Sequence, residues 1–322
     1  MGWLKRIDRF LLAIVAAAVI ASLLPAQGAF VDVLEWATTG AIAVLFYLYG
    51  VRLEPAQALA GLKHWRLHMT ILGLTFVVFP LVGWGLQFLT PWLLSSSLYA
   101  GVLYLTLVPS TVQSSINFTS IAKGNVAGAI VSASASNLLG VVLTPLLCVA
   151  LMTTSGGLMI DPSSILDIVL QLLVPFMLGQ LTRRWTATWV TAHPRLKLFD
   201  NAVIVLVVYA AFSAGMREGM WQQIAPVDLL VLIGVCLVLL AAMLGFSFWL
   251  ANRLGFDRAD VIAIQFCGTK KSLATGLPMA SVLFAGSPVG LLVLPLMIFH
   301  QAQLMACGTL ASRYAKQMPD DA

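Results

Sequence analysis

Residues 264–274 read IQFCGTKKSLA and set two adjacent lysines, Lys270 and Lys271, between apolar segments long enough to enter a bilayer. A charge in hydrocarbon is costly, so an intramembrane lysine usually faces a wet cavity or a polar partner. The surrounding chain of 322 residues is 60% hydrophobic and only 10% charged, whereas a soluble domain carries roughly a quarter charged residues. The sequence therefore predicts an integral membrane protein with a polar site around the two lysines.

Apolar runs along the chain predict ten membrane-spanning helices, because a helix crosses the hydrocarbon core in about 20 residues. A β-barrel is rejected, since runs such as residues 227–240 do not alternate between apolar and polar side chains. The predicted spans are 10–26, 34–52, 68–88, 97–122, 125–152, 163–182, 200–216, 227–252, 258–284 and 287–312.

The positive charges support this topology. With the N-terminus in the cytoplasm, fifteen of the 18 Lys and Arg residues fall on the inner side, only Arg217 falls outside, and Lys270 and Lys271 lie within a span. This distribution follows the positive-inside rule and predicts that both termini are cytoplasmic. The net charge of +5 therefore reflects membrane topology and does not indicate a nucleic-acid partner.

Ten spans divide into two halves of five, about 10–152 and 163–312, and an odd number of spans per half gives the halves opposite orientations. The fourth span contains residues 107–117 (LVPSTVQSSIN) and the ninth contains residues 266–276 (FCGTKKSLATG). Each is an apolar segment interrupted by Pro or Gly and a polar cluster. Corresponding interrupted segments in two inverted repeats indicate the binding site of a secondary transporter.

The polar clusters supply the candidate binding residues. Pro109 removes a backbone donor, and lipid offers no partner to the freed carbonyl groups. Nearby side-chain oxygens and unwound carbonyls are predicted to bind a hard cation or a polar substrate group. The alternatives left open are a proline kink filled by hydroxyls, a misplaced span boundary at the lysines, and polar contacts that only join helices. The predicted substrate- and ion-binding residues are Ser110, Thr111, Gln113, Ser114, Ser115, Asn117, Ser132, Ser134, Asn137, Gln265, Thr269, Lys270, Lys271, Ser272, His300 and Gln301.

Enzyme signatures are scarce in the sequence. It has no HExxH, Walker A or GxSxG motif and no pair of carboxylates within a span, so we expect neither an enzyme nor a bound cofactor. The four cysteines lack CxxC spacing, which argues against disulfides and zinc.

Five segments resemble the bile acid:sodium symporter family, and specifically its bacterial SBF-like branch. They are residues 64–68 (HWRLH), 107–115 (LVPSTVQSS), 122–125 (AKGN), 266–274 (FCGTKKSLA) and 294–301 (LPLMIFHQ), and the resemblance runs essentially end to end. It implies one transmembrane transporter domain over 1–322 in a bacterial inner membrane. It also implies a core of spans 3–5 and 8–10, a panel of spans 1, 2, 6 and 7, and broken fourth and ninth helices that cross beside two sodium sites. Members of the better-known branch carry organic anions such as bile acids, driven by sodium.

The chain departs from that family at a sodium site. The better-known symporters have a glutamate in the ninth span, just before a Gly-x-Gln-Asn-Ser stretch. Here Lys270 falls at the glutamine and Phe266 about at the glutamate, whereas Ser114 and Ser115 align with the family's Ser-Asn pair and are the candidate sodium ligands. A lysine ammonium donates hydrogen bonds and accepts none, so it cannot ligate sodium. We therefore expect at least one sodium site to be absent.

These features predict a secondary active transporter that moves a small organic anion by alternating access, with membrane lipid around it. Either a lysine acts as a fixed internal cation or a lysine exchanges a proton, and both are expected over sodium symport. The alternative function is a non-transporting membrane regulator or scaffold that retains the fold, which would be marked by a closed, dry centre around the lysines. Nothing in the sequence indicates the oligomeric state.

Overall fold

A computed structural model describes residues 9–52, 64–155, 169–219, 222, 224–285, 287 and 289–317 of the protein. Throughout these residues the regular structure is helical, as predicted. The helices are α1 (Arg9–Leu23), α2 (Ala29–Arg52), α3 (Trp65–Leu89), α4 (Ser96–Leu107), α5 (Gln113–Ile121), α6 (Val126–Ser155), α7 (Val174–Ala192), α8 (Leu196–Arg217), α9 (Pro226–Arg253), α10 (Arg258–Thr269), α11 (Leu273–Leu283) and α12 (Val289–Lys316).

Six of the described helices are long and apolar enough to cross a membrane, namely α2, α3, α6, α8, α9 and α12. Apolar helices of 10–17 residues also occur at Leu12–Leu23 and Ser96–Leu107. These elements make the chain a polytopic membrane protein. The first part of the predicted sixth span, residues 163–168, and three predicted inner-side cations, Lys5, Arg6 and Lys63, lie outside the described residues.

Two of the predicted spans are interrupted, as the sequence indicates. The helix of the fourth span ends at Leu107 and resumes at Gln113, with Pro109 in the gap. The helix of the ninth span ends at Thr269 and resumes at Leu273. Gly268 does not form this second break, because it lies inside α10, where a side chain would collide with Leu74.

One compact unit comprises the described residues within 1–53, 160–225 and 277–292. Within it α2 packs along α7, and their backbones approach closely at Gly50 and Gly179. A β-carbon on Gly50 would overlap the carbonyl of Phe176, and one on Gly179 would overlap the carbonyl of Tyr47. Small residues of this kind let membrane helices pack closely. Arg52 and Asp200 form an ion pair in the same unit.

The second compact unit comprises the described residues within 54–159, 226–276 and 293–322 and contains both helix breaks. A π-helical turn at Leu74–Val78 interrupts the regular hydrogen bonding of α3. Most of α4 is buried, and the hydroxyl of Tyr104 donates to the carbonyl of Gly276, 2.6 Å away. The packing thus surrounds the two breaks with other helices.

Candidate functional site: the paired helix breaks

The two breaks contact each other through backbone groups. The amide of Ser272, in the second break, donates to the carbonyl of Pro109, in the first, at 2.8 Å. The hydroxyl of Ser110 donates to the carbonyl of Cys267 near the end of α10 at 2.6 Å. Because the gaps leave backbone groups without helical partners, each break satisfies part of the other's hydrogen-bonding demand.

Side chains of α6 pair with further backbone groups of the first break. The hydroxyl of Thr144 donates to the carbonyl of Leu107 at 2.9 Å. The amide of Asn137 donates to the carbonyl of Ser110 at 2.8 Å, while the Ser110 N–H donates to the hydroxyl of Ser136 at 3.0 Å. The predicted residues Ser110 and Asn137 therefore hold the break open in a fixed geometry.

The predicted hydroxyl residues after Pro109 form a cluster of their own. The hydroxyl oxygen of Thr111 lies 2.6 Å from that of Ser114 and 3.2 Å from that of Ser115. The hydroxyl oxygens of Ser110 and Ser115 are 3.5 Å apart, at the limit of a hydrogen bond. These are neutral oxygens, and among the described residues no group of three or more His, Cys, Asp or Glu could hold a metal ion.

Lys271 lies in the second break and is fully buried, with 0% of its surface exposed. Its Nζ donates to the carbonyl oxygens of Thr106 at 2.8 Å, Val108 at 2.9 Å and Thr75 at 3.0 Å. The Phe79 ring centroid lies 4.3 Å from the same nitrogen. An ammonium has three N–H donors, and all three are used here.

Lys270 is equally buried, but it has a different environment. Its Nζ lies 3.8 Å from the ring centroid of Phe118 and finds no hydrogen-bond acceptor in the described part of the chain. The backbone at Lys270 is extended, with φ −79° and ψ 149°. Successive side chains of an extended backbone point to opposite sides, which explains why the two neighbours have separate surroundings.

Helix α12 fixes the backbone of the second break through Gln303. The Gln303 side chain accepts from the amide of Lys271 at 2.9 Å and donates to its carbonyl at 2.8 Å. The Nδ1 atom of the predicted residue His300 lies 3.3 Å from the same carbonyl and 2.8 Å from the Gln303 amide nitrogen. Ser272 caps the start of α11, where its hydroxyl accepts from the Thr275 amide at 3.2 Å.

The other predicted residues divide into exposed and internal positions. Gln113 and Asn117 are exposed four residues apart on one face of α5, whereas Ser134 and Gln301 are partly buried. Three predicted residues make hydrogen bonds away from the lysine side chains. The Ser132 hydroxyl lies 2.6 Å from Nδ1 of His68, and the Thr269 hydroxyl donates to the Gln265 carbonyl at 2.5 Å. The Gln265 side chain donates to the Leu244 carbonyl at 3.0 Å and accepts from the Tyr314 hydroxyl at 2.8 Å.

Sequence reasoning missed several groups at this site. Gln303 is recognisable as an intramembrane amide, but only its distance to Lys271 distinguishes it from Gln301. Thr75, Thr106 and Val108 contribute carbonyl groups, and every residue type has a carbonyl, so no side-chain pattern could identify them. Phe118 resembles any apolar helix residue until its ring is seen beside Lys270.

Comparisons with known proteins agree with the motif resemblance. The model of the SBF-like CPA transporter family matches residues 8–316. The Pseudomonas aeruginosa protein PA2026 is 49% identical over 98% of this chain and 95% of its own length. The Escherichia coli protein named "Putative symporter YfeH" is 46% identical over 98% of this chain and 96% of its own length. The rat protein named "Sodium/bile acid cotransporter 7" is 30% identical over 82% of this chain and 79% of its own length.

The family match covers nearly the whole chain, including both helix breaks and the two lysines. It identifies a multi-pass membrane transporter of the bile acid:sodium symporter type, in agreement with the sequence-based identification. The chain therefore belongs to the SBF-like CPA transporter family.

Proposed function

We propose that this protein is a secondary active transporter that moves a small organic anion across the bacterial inner membrane by alternating access. The observation that carries the proposal is the contact between two helix breaks, the second of which contains two buried lysines. Interrupted helices in transporters expose backbone groups and helix ends to a substrate near the middle of the bilayer. Positive charge at that depth attracts an anion, because few counter-charges compete with it there.

The proposed architecture has ten spans in two inverted repeats, about 10–152 and 163–312, with both termini in the cytoplasm. Spans 3–5 and 8–10 form a core, and spans 1, 2, 6 and 7 form a panel. The division of the chain into two compact units supports part of this assignment, since one unit contains α1, α2, α7 and α8 and the other contains both helix breaks. Residues 277–292, from the proposed spans 9 and 10, group with the first unit.

The proposed substrate path runs along the exposed polar face of α5. Gln113 and Asn117 are exposed in the proposed fourth span, and lipid cannot solvate their amides. Such a face is expected to line a water-filled cavity. The hydroxyl cluster of Ser110, Thr111, Ser114 and Ser115 lies at the start of the same helix, where N–H groups favour an anion.

For the coupling, a proton or the fixed charge of a lysine is proposed in place of sodium. The Lys271 ammonium already occupies the carbonyl groups of Thr75, Thr106 and Val108 that a cation would otherwise use. Ser114 and Ser115, at the start of α5 just after the first break, remain the candidate sodium ligands, and their hydroxyls are hydrogen-bonded to Thr111.

Transport by purified protein in liposomes tests the proposal. Counterflow of radiolabelled carboxylates and sulfonates is measured under separate sodium, proton and voltage gradients. We expect movement of at least one anion without a steep sodium dependence. Replacing Gln113 or Asn117 with Ala should lower uptake by roughly tenfold, the effect of losing a hydrogen bond to a charged group. Asn252→Ala, an exposed asparagine on α9, is the matched control and should leave uptake unchanged.

The alternative is a non-transporting regulator or scaffold, and one observation favours it. Both lysines are completely enclosed in this structure, which is the closed centre expected of such a protein. The same liposomes separate the two functions. If no anion moves under any gradient, although the protein unfolds cooperatively and is correctly inserted, the result supports the alternative.

A further inference from the structure

The carbonyl oxygens around Lys271 resemble the coordination shell of a monovalent cation. Three of them, from Thr75, Thr106 and Val108, lie 2.8–3.0 Å from Nζ. No carboxylate of the described residues pairs with this ammonium, because the one ion pair found among them joins Arg52 and Asp200. The charge is therefore balanced by backbone dipoles and by the face of the Phe79 ring.

Interruptions in two different helices direct these carbonyls toward one point. The carbonyls of Thr106 and Val108 lie where Pro109 ends α4, and the Ser110 N–H that would continue the helix donates to Ser136. The carbonyl of Thr75 lies in the π-helical turn of α3. Rings of backbone carbonyls replace the hydration shell of potassium in channel filters, so the same chemical groups suit a cation here.

We infer that the carbonyls of Thr75, Thr106 and Val108 form a monovalent-cation site and that Lys271 is its covalently attached occupant. We name these three carbonyls the carbonyl cage. The relative named as a sodium/bile acid cotransporter is described by its name as using sodium. Here a free sodium ion does not fit the cage, because the ammonium fills it. The protein thus carries its own cation at this place.

The neighbouring lysine provides an internal contrast. Lys270 is just as buried, yet its Nζ contacts the Phe118 ring and no carbonyl cage. Removing the Lys270 side chain leaves no set of converging acceptors, whereas removing the Lys271 side chain leaves three. Only the second deletion should therefore create a place where an added cation binds.

The inference assigns the fixed charge of the proposed function to Lys271, and the role of this charge in transport rests on that function. The test of the inference requires no transport. Purified full-length Lys271→Ala, Lys270→Ala and wild-type protein are unfolded by heat in methylammonium, potassium, sodium or choline chloride at equal ionic strength. A ligand that binds only the folded state raises the unfolding temperature with its concentration. For Lys271→Ala we expect a saturable rise of about 2 °C or more with methylammonium, potassium or sodium relative to choline.

The wild type and Lys270→Ala should unfold at the same temperature in all four salts. Equal unfolding temperatures for Lys271→Ala in every salt, or an equal rise in Lys270→Ala, would overturn the inference. If Lys271→Ala does not fold, the same measurement is made on a Ser114→Ala, Ser115→Ala protein that keeps Lys271. A rise specific to sodium in that protein would show that the ammonium does not fill the cage, and equal unfolding temperatures in all four salts would support the inference. A failure of anion uptake in liposomes would leave these unfolding results unaffected, so the two proposals fail separately.

Discussion

The two helix breaks have similar sequence patterns but opposite hydrogen-bonding roles. The first, around Pro109, supplies mainly acceptors, which are the carbonyls of Thr106, Val108 and Pro109. The second supplies to the first mainly donors, which are the ammonium of Lys271 and the amide of Ser272. Either break alone would leave buried polar groups without partners, which is costly in lipid. Their pairing shows that the breaks stabilise each other.

The largest predicted effect is for Lys271→Met, which removes the ammonium from the carbonyl cage. Three buried carbonyls then lose their donor, and we expect the free energy of unfolding to fall by about 3–5 kcal/mol. Unfolding of the purified protein in mixed micelles by titration with a denaturing detergent measures the change. A loss below about 1 kcal/mol would mean that the cage finds other donors and that the two breaks do not depend on each other.

Gln303→Leu should have the next largest effect. Gln303 donates to the carbonyl and accepts from the amide of Lys271, so its loss removes two buried hydrogen bonds from the backbone of the second break. We expect a destabilisation of about 2–3 kcal/mol in the same titration. Gln301→Leu is the matched control on the same helix, since the Gln301 side chain makes no hydrogen bond with the described residues. Equal losses for the two variants would show that Gln303 does not fix the second break.

Thr144→Val tests the first break with a smaller change. Valine keeps the shape of threonine but loses the hydroxyl that donates to the Leu107 carbonyl. The expected destabilisation is about 1–2 kcal/mol, measured by the detergent titration. Thr309→Val, at an exposed threonine on α12 that bonds within its own helix, should change stability by less than about 0.5 kcal/mol. No difference between the two would argue that the first break needs no side-chain partner.

The smallest effect is predicted for Lys270→Met. The Lys270 ammonium has a cation–π contact with Phe118 but no hydrogen-bond acceptor among the described residues. Replacing a buried charge that lacks such partners with an apolar side chain is often neutral or stabilising, so we expect a change within about 1 kcal/mol. The comparison with Lys271→Met is the control. Similar losses at both positions would contradict the separate roles assigned to the two lysines.

The sequence predicts the positions of the breaks better than their internal contacts. Pro109 marks the first break because it cannot donate a backbone hydrogen bond, and two lysines in an apolar segment mark the second. The different surroundings of Lys270 and Lys271 could not be predicted, since they follow from one extended residue between two helices. The carbonyl cage could not be predicted from the sequence either, because every residue has a backbone carbonyl and only the fold brings these three together.

The close packing of α2 and α7 also has a consequence for mutation. At Gly50 and Gly179 the main chains of the two helices are in contact without intervening side chains. Even substitution by alanine would therefore force the helices apart. The Gln180 amide donates to the Gly50 carbonyl between the same two helices at 2.6 Å, and this hydrogen bond would break if they separated. We therefore expect few substitutions to be tolerated at the two glycines, and we expect α2 and α7 to move together as one rigid body.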